Sequence, residues 1–157
     1  MTRGFINSQS GSGSPSGTLI FVSSGLSGLV VPGWSAYQTS KLAAERFIEH
    51  VDAGYPKIRA FTVIPGIVKT EMLDPSFHAF AQDDVQLTGM LALWLSGSEA
   101  EFLRGQLVSV NWDVNELVTH KSEIQDKKLL QIKWHPVLPC SGGKGFPDSD
   151  IGFDMWK

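Results

Sequence analysis

Thr18-Leu-Ile-Phe-Val-Ser23, running on through Ser24-Gly-Leu-Ser-Gly-Leu-Val-Val-Pro-Gly-Trp-Ser-Ala-Tyr37-Gln-Thr-Ser-Lys41, is the stretch from which the rest of the chain can be read. Its first six residues form an unbroken apolar, β-rich run, the pattern of a strand buried on both faces of a parallel sheet rather than a half-exposed one. The carboxyl end of that strand delivers Ser24. Gly25 to Gly33 is a glycine-rich loop closed by Pro32-Gly33. A helix is expected from near Ser35, with Leu42, Ala43, Phe47, Ile48 and Val51 at helical spacing, ending at Gly54 with Pro56 just beyond. Tyr37 and Lys41 are four apart, so they lie one above the other on one face of it.

Downstream, Ile58-Arg-Ala-Phe-Thr-Val-Ile64 reads as a second strand, stopped by Pro65-Gly66. Asp83 to Leu95 predicts a helix with Val85, Leu87, Met90, Leu91 and Leu95 toward a core, a short helical turn covers Ser98 to Leu103, and Gln106 to Val110 is a third strand. Strand, helix, strand, helix, strand is the signature of right-handed crossovers in a parallel sheet covered by helices. The fold class is therefore α/β. Upstream, Phe5 and Ile6 read as the buried end of a helix, and Ser8 to Gly17 as a Ser/Gly/Pro connector, so residues 1–17 are a partial helix and flexible linker. Beyond residue 112 the chain becomes more charged. An exposed helix over Asp113 to Lys128, an apolar piece from Leu129 to Trp134 and a Gly/Pro-rich end make residues 113–157 an expected appended tail, loosely packed.

Composition narrows the classes. A chain of 157 residues suits one domain and buries roughly 68–70% of its unfolded surface. Apolar residues at 42% and charged residues at 18% are ordinary for a globular protein. The net charge of -3 comes with no Lys/Arg run to track a phosphate backbone, which argues against nucleic-acid partners. Cys140 is the single cysteine and makes no internal disulfide; with no secretory pattern at the start, a cytoplasmic location is the expectation. Apolar runs such as Met90 to Leu95 fall far short of the roughly 18–20 residues of a membrane helix, so no membrane partner is expected.

Ser24, Tyr37 and Lys41 are the residues that can carry chemistry. A free phenol ionises near pH 10, too high for a good general base near neutrality. A neighbouring ammonium favours the phenolate, and a hydroxyl opposite can hold a carbonyl or alcohol oxygen on a short proton path. The three thus read as orienter (Ser24), acid/base (Tyr37) and tuner (Lys41). A Tyr-x-x-x-Lys pair alone is most often a surface pair; here the serine ends a strand, the pair opens a helix, and Pro65-Gly-Ile-Val-Lys-Thr70 follows the next strand.

On those residues the segment from Thr18 to Asn111 resembles the C-terminal half of a short-chain dehydrogenase/reductase. The family's Ser and Tyr-x-x-x-Lys arrangement falls on Ser24, Tyr37 and Lys41, and its Pro-Gly-x-Val-x-Thr motif on Pro65, Gly66, Val68 and Thr70. The resemblance implies a Rossmann-like parallel sheet of which the last three strands are present. It implies hydride transfer between NAD or NADP and a carbonyl or secondary alcohol. Tyr37 is then the acid/base, Lys41 also bonds the nicotinamide ribose, Ser24 orients the substrate oxygen, and Pro65 to Thr70 contacts the nicotinamide end. Glu71 to Asp84 matches the variable substrate-binding region, where Met72, Leu73, Phe77, His78 and Phe80 imply an apolar wall. Homo-oligomerisation is implied as well.

The departures from that pattern matter equally. The family's Thr-Gly-x-x-x-Gly-x-Gly turn, which holds the pyrophosphate at a helix N-terminus, is absent, and Gly11 to Gly17 lacks the strand and helix such a turn needs. The chain reads as beginning in mid-fold, with its innermost strand left as an open edge suited to pairing with another chain. A catalytically silent truncated fragment, acting only by association, is therefore the alternative expectation. His50, His78, His120 and His135 lack metal-like spacing and read as solvated or structural, with no metal implied; Cys140, near His135 in a Gly/Pro loop with no helix N-terminus, reads as a free structural thiol rather than a nucleophile. Trp94, Trp112, Trp134 and Trp156 read as packing or partner-contact residues.

Overall fold

The computed structural model describes residues 2–8 and 16–133. Three parallel strands form one sheet in the order β1 (Gly17–Val22), β2 (Ile58–Ile64), β3 (Leu107–Ser109). Leu19 is opposite Ala60 and Phe21 opposite Thr62 in the first ladder, and Val63 is opposite Val108 in the second. The α/β class and the three-stranded parallel sheet follow the sequence expectation. Two parallel neighbours must be joined by a crossover, and here each crossover is a helix: α2 (Ser35–Gly54) between β1 and β2, α3 (Val85–Leu95) between β2 and β3. A short α1 (Thr2–Ser8) precedes β1, and α4 (Val114–Thr119) and α5 (Lys121–Asp126) follow β3.

Alternation along β2 builds a core on each face of the sheet. Ile58 and Ala60 point to the α2 side, where they meet Ile48 and Val51, with Phe5, Ile6, Leu19 and Phe21 packed around them. Phe61 and Val63 point to the other side, onto Leu91 and Leu95 of α3, with Phe102, Leu103, Val108 and Ile124. Asp84 caps α3, its carboxylate accepting from Gln86 N at 2.8 Å, and α2 stops where the Tyr55 amide turns back to the Val51 carbonyl.

Several expectations change. β1 is not buried on both faces: Leu19, Ile20 and Phe21 are half-buried, because β1 pairs with β2 alone among the described residues. The covered stripe of α2 is Gln38, Glu45, Ile48 and Val51, while Leu42 and Phe47 face outward. Similarly α3 buries Leu91 and Leu95, whereas Val85 and Met90 are exposed. Residues 113–133 are not one exposed helix or a loosely packed tail. The helix breaks at His120 into α4 and α5, Ile124 is buried in the core with Val114, Leu117 and Leu130 against it, and the Leu107 amide donates to the Leu130 carbonyl at 2.9 Å. Apolar Val114, Leu117, Ile124 and Leu130 outweigh the charge of their neighbours in sequence. Trp134, His135, Cys140 and Trp156 lie outside the described residues.

Candidate functional site around Ser24, Tyr37 and Lys41

The carboxyl ends of β1 and β2 lead into the loops that carry the sequence-predicted residues, the place where open parallel sheets bind ligands. Ser24 leaves β1 and opens a 3-10 turn, Gly25–Gly28, whose Leu26 amide donates to Ser24 Oγ at 3.2 Å. As an acceptor of that bond, the hydroxyl keeps its own proton for a further partner.

Tyr37 and Lys41 share the α2 face that looks toward β1. Lys41 Nζ lies 5.7 Å from the centre of the Tyr37 ring and 5.4 Å from that of Phe21. The ammonium also donates to the Val22 carbonyl at 3.1 Å, two residues before Ser24. The same i, i+4 series continues to Glu45, which is 4% exposed and accepts a short hydrogen bond from Ser23 Oγ. Lys41 and Glu45 thus fasten α2 to the two residues immediately before Ser24. Gln38 fixes the loop between: its amide nitrogen donates to the Leu26 carbonyl at 3.1 Å and its amide oxygen accepts from Val31 N at 3.1 Å.

Pro65, Gly66, Val68 and Thr70 form the loop after β2. Gly66 has φ +74, and a Cβ there would lie 2.4 Å from Asp83 Oδ2, so both backbone and space require glycine. Asp83 closes this loop: Oδ2 accepts from the Ile67 amide at 2.6 Å, Oδ1 accepts from Asn111 Nδ2 at 2.7 Å, and the Asp83 amide donates to the Ile67 carbonyl at 3.2 Å. The end of the variable segment, the Pro65–Thr70 loop and the second residue after β3 are held together by one carboxylate. Of the expected apolar wall, Leu73 and Phe77 are half-buried, while Met72 and Phe80 stand exposed; His78 Nε2 lies 3.3 Å from the Leu73 carbonyl.

A family model described as short chain dehydrogenase matches residues 1–80. The chain belongs to the short-chain dehydrogenase family. It is 34% identical over 122 residues to a short chain dehydrogenase/reductase of Claviceps purpurea, covering 73% of this chain and 42% of that one. It is 36% identical over 110 residues to the short chain dehydrogenase mpl6 of Monascus purpureus, covering 67% of this chain and 38% of that one. The chain therefore spans about two fifths of the length of these curated relatives. Among solved structures, a short chain dehydrogenase from Salmonella enterica serovar Typhi is similar at 28% identity and TM-score 0.50, over 63% of this chain and 43% of that one. A gluconate 5-dehydrogenase from Burkholderia cenocepacia, in complex with NADP and tartrate, shares the fold at 22% identity and TM-score 0.55, over 69% and 46%.

At the ends of β1 and β2 stand an ammonium beside a phenol ring, a serine two residues beyond the carbonyl that holds the ammonium, and a glycine-shaped loop. Neither β1 nor β2 leads directly into an α-helix N-terminus of the kind that holds a pyrophosphate; Ser24 enters a 3-10 turn and Pro65 a loop. No described helix is long and apolar enough to cross a membrane. Gln38, Glu45, Asp83 and Asn111 were not predicted from sequence. Glu45 had a signal in its spacing from Tyr37 and Lys41; the Asp83 to Asn111 contact joins residues far apart in the chain and had none.

Proposed function

We propose that this chain carries the proton-transfer half of an NAD(P)-dependent oxidoreductase acting on a small carbonyl compound or secondary alcohol. The observation that supports it best is the attachment of Lys41 to the Val22 carbonyl, beside the Tyr37 ring, at the strand end that delivers Ser24. In this reading Ser24 Oγ donates to the substrate oxygen and holds it facing the phenol. Tyr37 gives its proton to that oxygen as negative charge develops in reduction, and takes it back in oxidation. Lys41 stabilises the phenolate left behind and hydrogen-bonds the nicotinamide ribose. Pro65, Gly66, Val68 and Thr70 line the nicotinamide end, on a loop whose shape Asp83 keeps. When bound there, the nicotinamide supplies or accepts the hydride.

The deciding experiment follows nucleotide fluorescence as NADH or NADPH is titrated into the purified chain, then follows its consumption with a panel of ketones. Binding with ketone-dependent consumption that Tyr37→Phe abolishes supports this reading. Activity unchanged in Tyr37→Phe refutes it.

A second reading is favoured by β1, which among the described residues has one paired edge and carries half-buried Leu19, Ile20 and Phe21. A catalytically silent chain associating with another chain along that edge would cover these residues. Failure of both nucleotides to bind at millimolar concentration, together with a concentration-dependent mass in light scattering, favours it.

A further inference from the structure

Trp34 stands at the entry to α2, three residues before Tyr37, and its ring is flanked on two sides. The Tyr37 ring is 5.9 Å away at 83°, and the Phe77 ring 5.7 Å away at 87°. Phe77 comes from the 3-10 stretch Pro75–Phe80, so aromatic contact joins the variable segment to the residue beside the phenol. All three rings are only half-buried. Met72 and Phe80, on the same segment, are 82% and 63% exposed.

Rings set at right angles make a corner. A flat aromatic guest in such a corner meets one ring in an offset stack and the other edge-on, at the 4.5–7 Å centroid spacings that the ring quadrupoles favour. A saturated guest of the same outline gains apolar burial but not that directional contribution. The loop from Gly25 to Tyr37 carries no charged residue, and on the facing segment Asp74 is occupied by the Ser76 amide and hydroxyl. The Lys41 ammonium, 5.7 Å from the Tyr37 ring centre, is engaged by the Val22 carbonyl.

We propose that Trp34 and Phe77 are specificity-determining residues of the Tyr37 site, selecting neutral carbonyl compounds whose carbonyl lies within one or two carbons of an aryl ring. The proposal rests on reading Tyr37 as the acid/base, since the phenol fixes where the carbonyl points. Met72, Leu73 and Phe80 accept any apolar surface; the ring corner adds the preference for an aromatic one.

The test uses the full chain and two probes of near-equal outline, β-tetralone and its saturated counterpart β-decalone, with affinities measured by saturation-transfer NMR in the absence of nucleotide. β-Tetralone is expected to bind about three- to ten-fold more tightly. Trp34→Ala and Phe77→Leu are each expected to bring the two affinities within about two-fold. Phe77→Leu lies in a part-exposed segment and decides the matter if Trp34→Ala fails to fold. Equal binding in the wild type, no binding of either probe, or a preference that survives Phe77→Leu overturns the proposal. The preference present without turnover of either ketone counts against the oxidoreductase reading and supports this one; turnover of both without preference does the reverse.

Discussion

Lys41 Nζ donates to the carbonyl oxygen of Val22 at 3.1 Å, so the cation beside the Tyr37 ring is held by the strand that carries Ser24 two residues later. A flexible four-carbon side chain is thereby given one position relative to the sheet. Lys41→Met keeps the apolar stem against Phe21 and removes the charge and the bond. Where the chain turns over substrate, loss of a positioned charge next to an acid/base is expected to lower kcat by about 100-fold or more. Lys41→Arg keeps the charge but carries a wide planar head unsuited to one carbonyl, and is expected to restore only part of the loss. Initial rates at saturating nucleotide separate the three proteins.

Ser23 and Glu45 test the fastening of α2 independently of activity. Both are buried, and the Ser23 hydroxyl is the donor to Glu45. Ser23→Ala leaves that carboxylate oxygen without its partner, at an expected cost of about 1–3 kcal/mol, read from the urea midpoint. Ser23→Thr, which keeps the hydroxyl, is expected to lose much less. Equal losses for the two would mean that packing, not the hydrogen bond, matters at this position.

Gly66 and Gly33 both have positive φ, at +74 and +85, but their surroundings differ. A Cβ on Gly33 meets nothing within 4 Å, whereas one on Gly66 meets Asp83 Oδ2 at 2.4 Å. Gly33→Ala is therefore expected to cost only the left-handed backbone term, about 1–2 kcal/mol. Gly66→Ala adds displacement of Asp83, which also releases the Ile67 amide and Asn111. Its midpoint is expected below that of Gly33→Ala, with faster hydrogen exchange at Ile67 as the local sign.

How much of this could be read from the sequence depended on the range of each interaction. β2, α2 and the 3-10 turn at Ser98–Leu103 appeared within their expected bounds, because their apolar periodicity and their Gly, Pro and Ser boundaries are local signals. The orientation of α2 did not appear. Leu42 and Phe47 have the hydrophobicity of core residues, yet Gln38 and Glu45 are covered in their place because Leu26, Val31 and Ser23 supply hydrogen-bond partners. A polar residue becomes a core residue when a distant segment satisfies it, which single-residue hydrophobicity does not encode. For the same reason Ser24, Tyr37 and Lys41 were legible as a spaced motif, while Asp83 and Asn111 came to light only once β2 and β3 lay side by side.

Glu49 sets a pH dependence. Burial pushes its carboxyl above the ordinary glutamate value of 4.5, opposed in part by the bond from the Ile132 amide and by Arg46. The folded state then holds its proton to higher pH than the unfolded state. Between the two values the folded chain binds more protons, so this group favours folding at acid pH and loses that contribution as pH rises through the folded value. Glu49→Gln keeps an acceptor for the Ile132 amide and removes the titration. Urea unfolding across the range from about pH 4 to neutrality is expected to show a flatter stability profile for the variant. An unchanged slope would place the titration elsewhere.

Ile124 decides whether residues 113–133 belong to the domain. It is 4% exposed, sits in the cluster with Phe61, Leu95 and Val108, and its carbonyl accepts from the Leu129 amide as the chain turns toward β3. A loosely attached tail would tolerate truncation of this side chain. A core residue does not: Ile124→Ala removes apolar carbons from a packed interior and leaves a void among Phe61, Leu95 and Val108. The expected loss is about 2–5 kcal/mol, the range of buried aliphatic truncations, in a single cooperative transition. Val118→Ala, at an exposed position on neighbouring α4, is expected to shift the midpoint by no more than about 0.5 kcal/mol and serves as the control. Two equal, small shifts would detach α4 and α5 from the core; a large shift for Ile124 alone makes the Leu107 to Leu130 bond part of the same folding unit as β3.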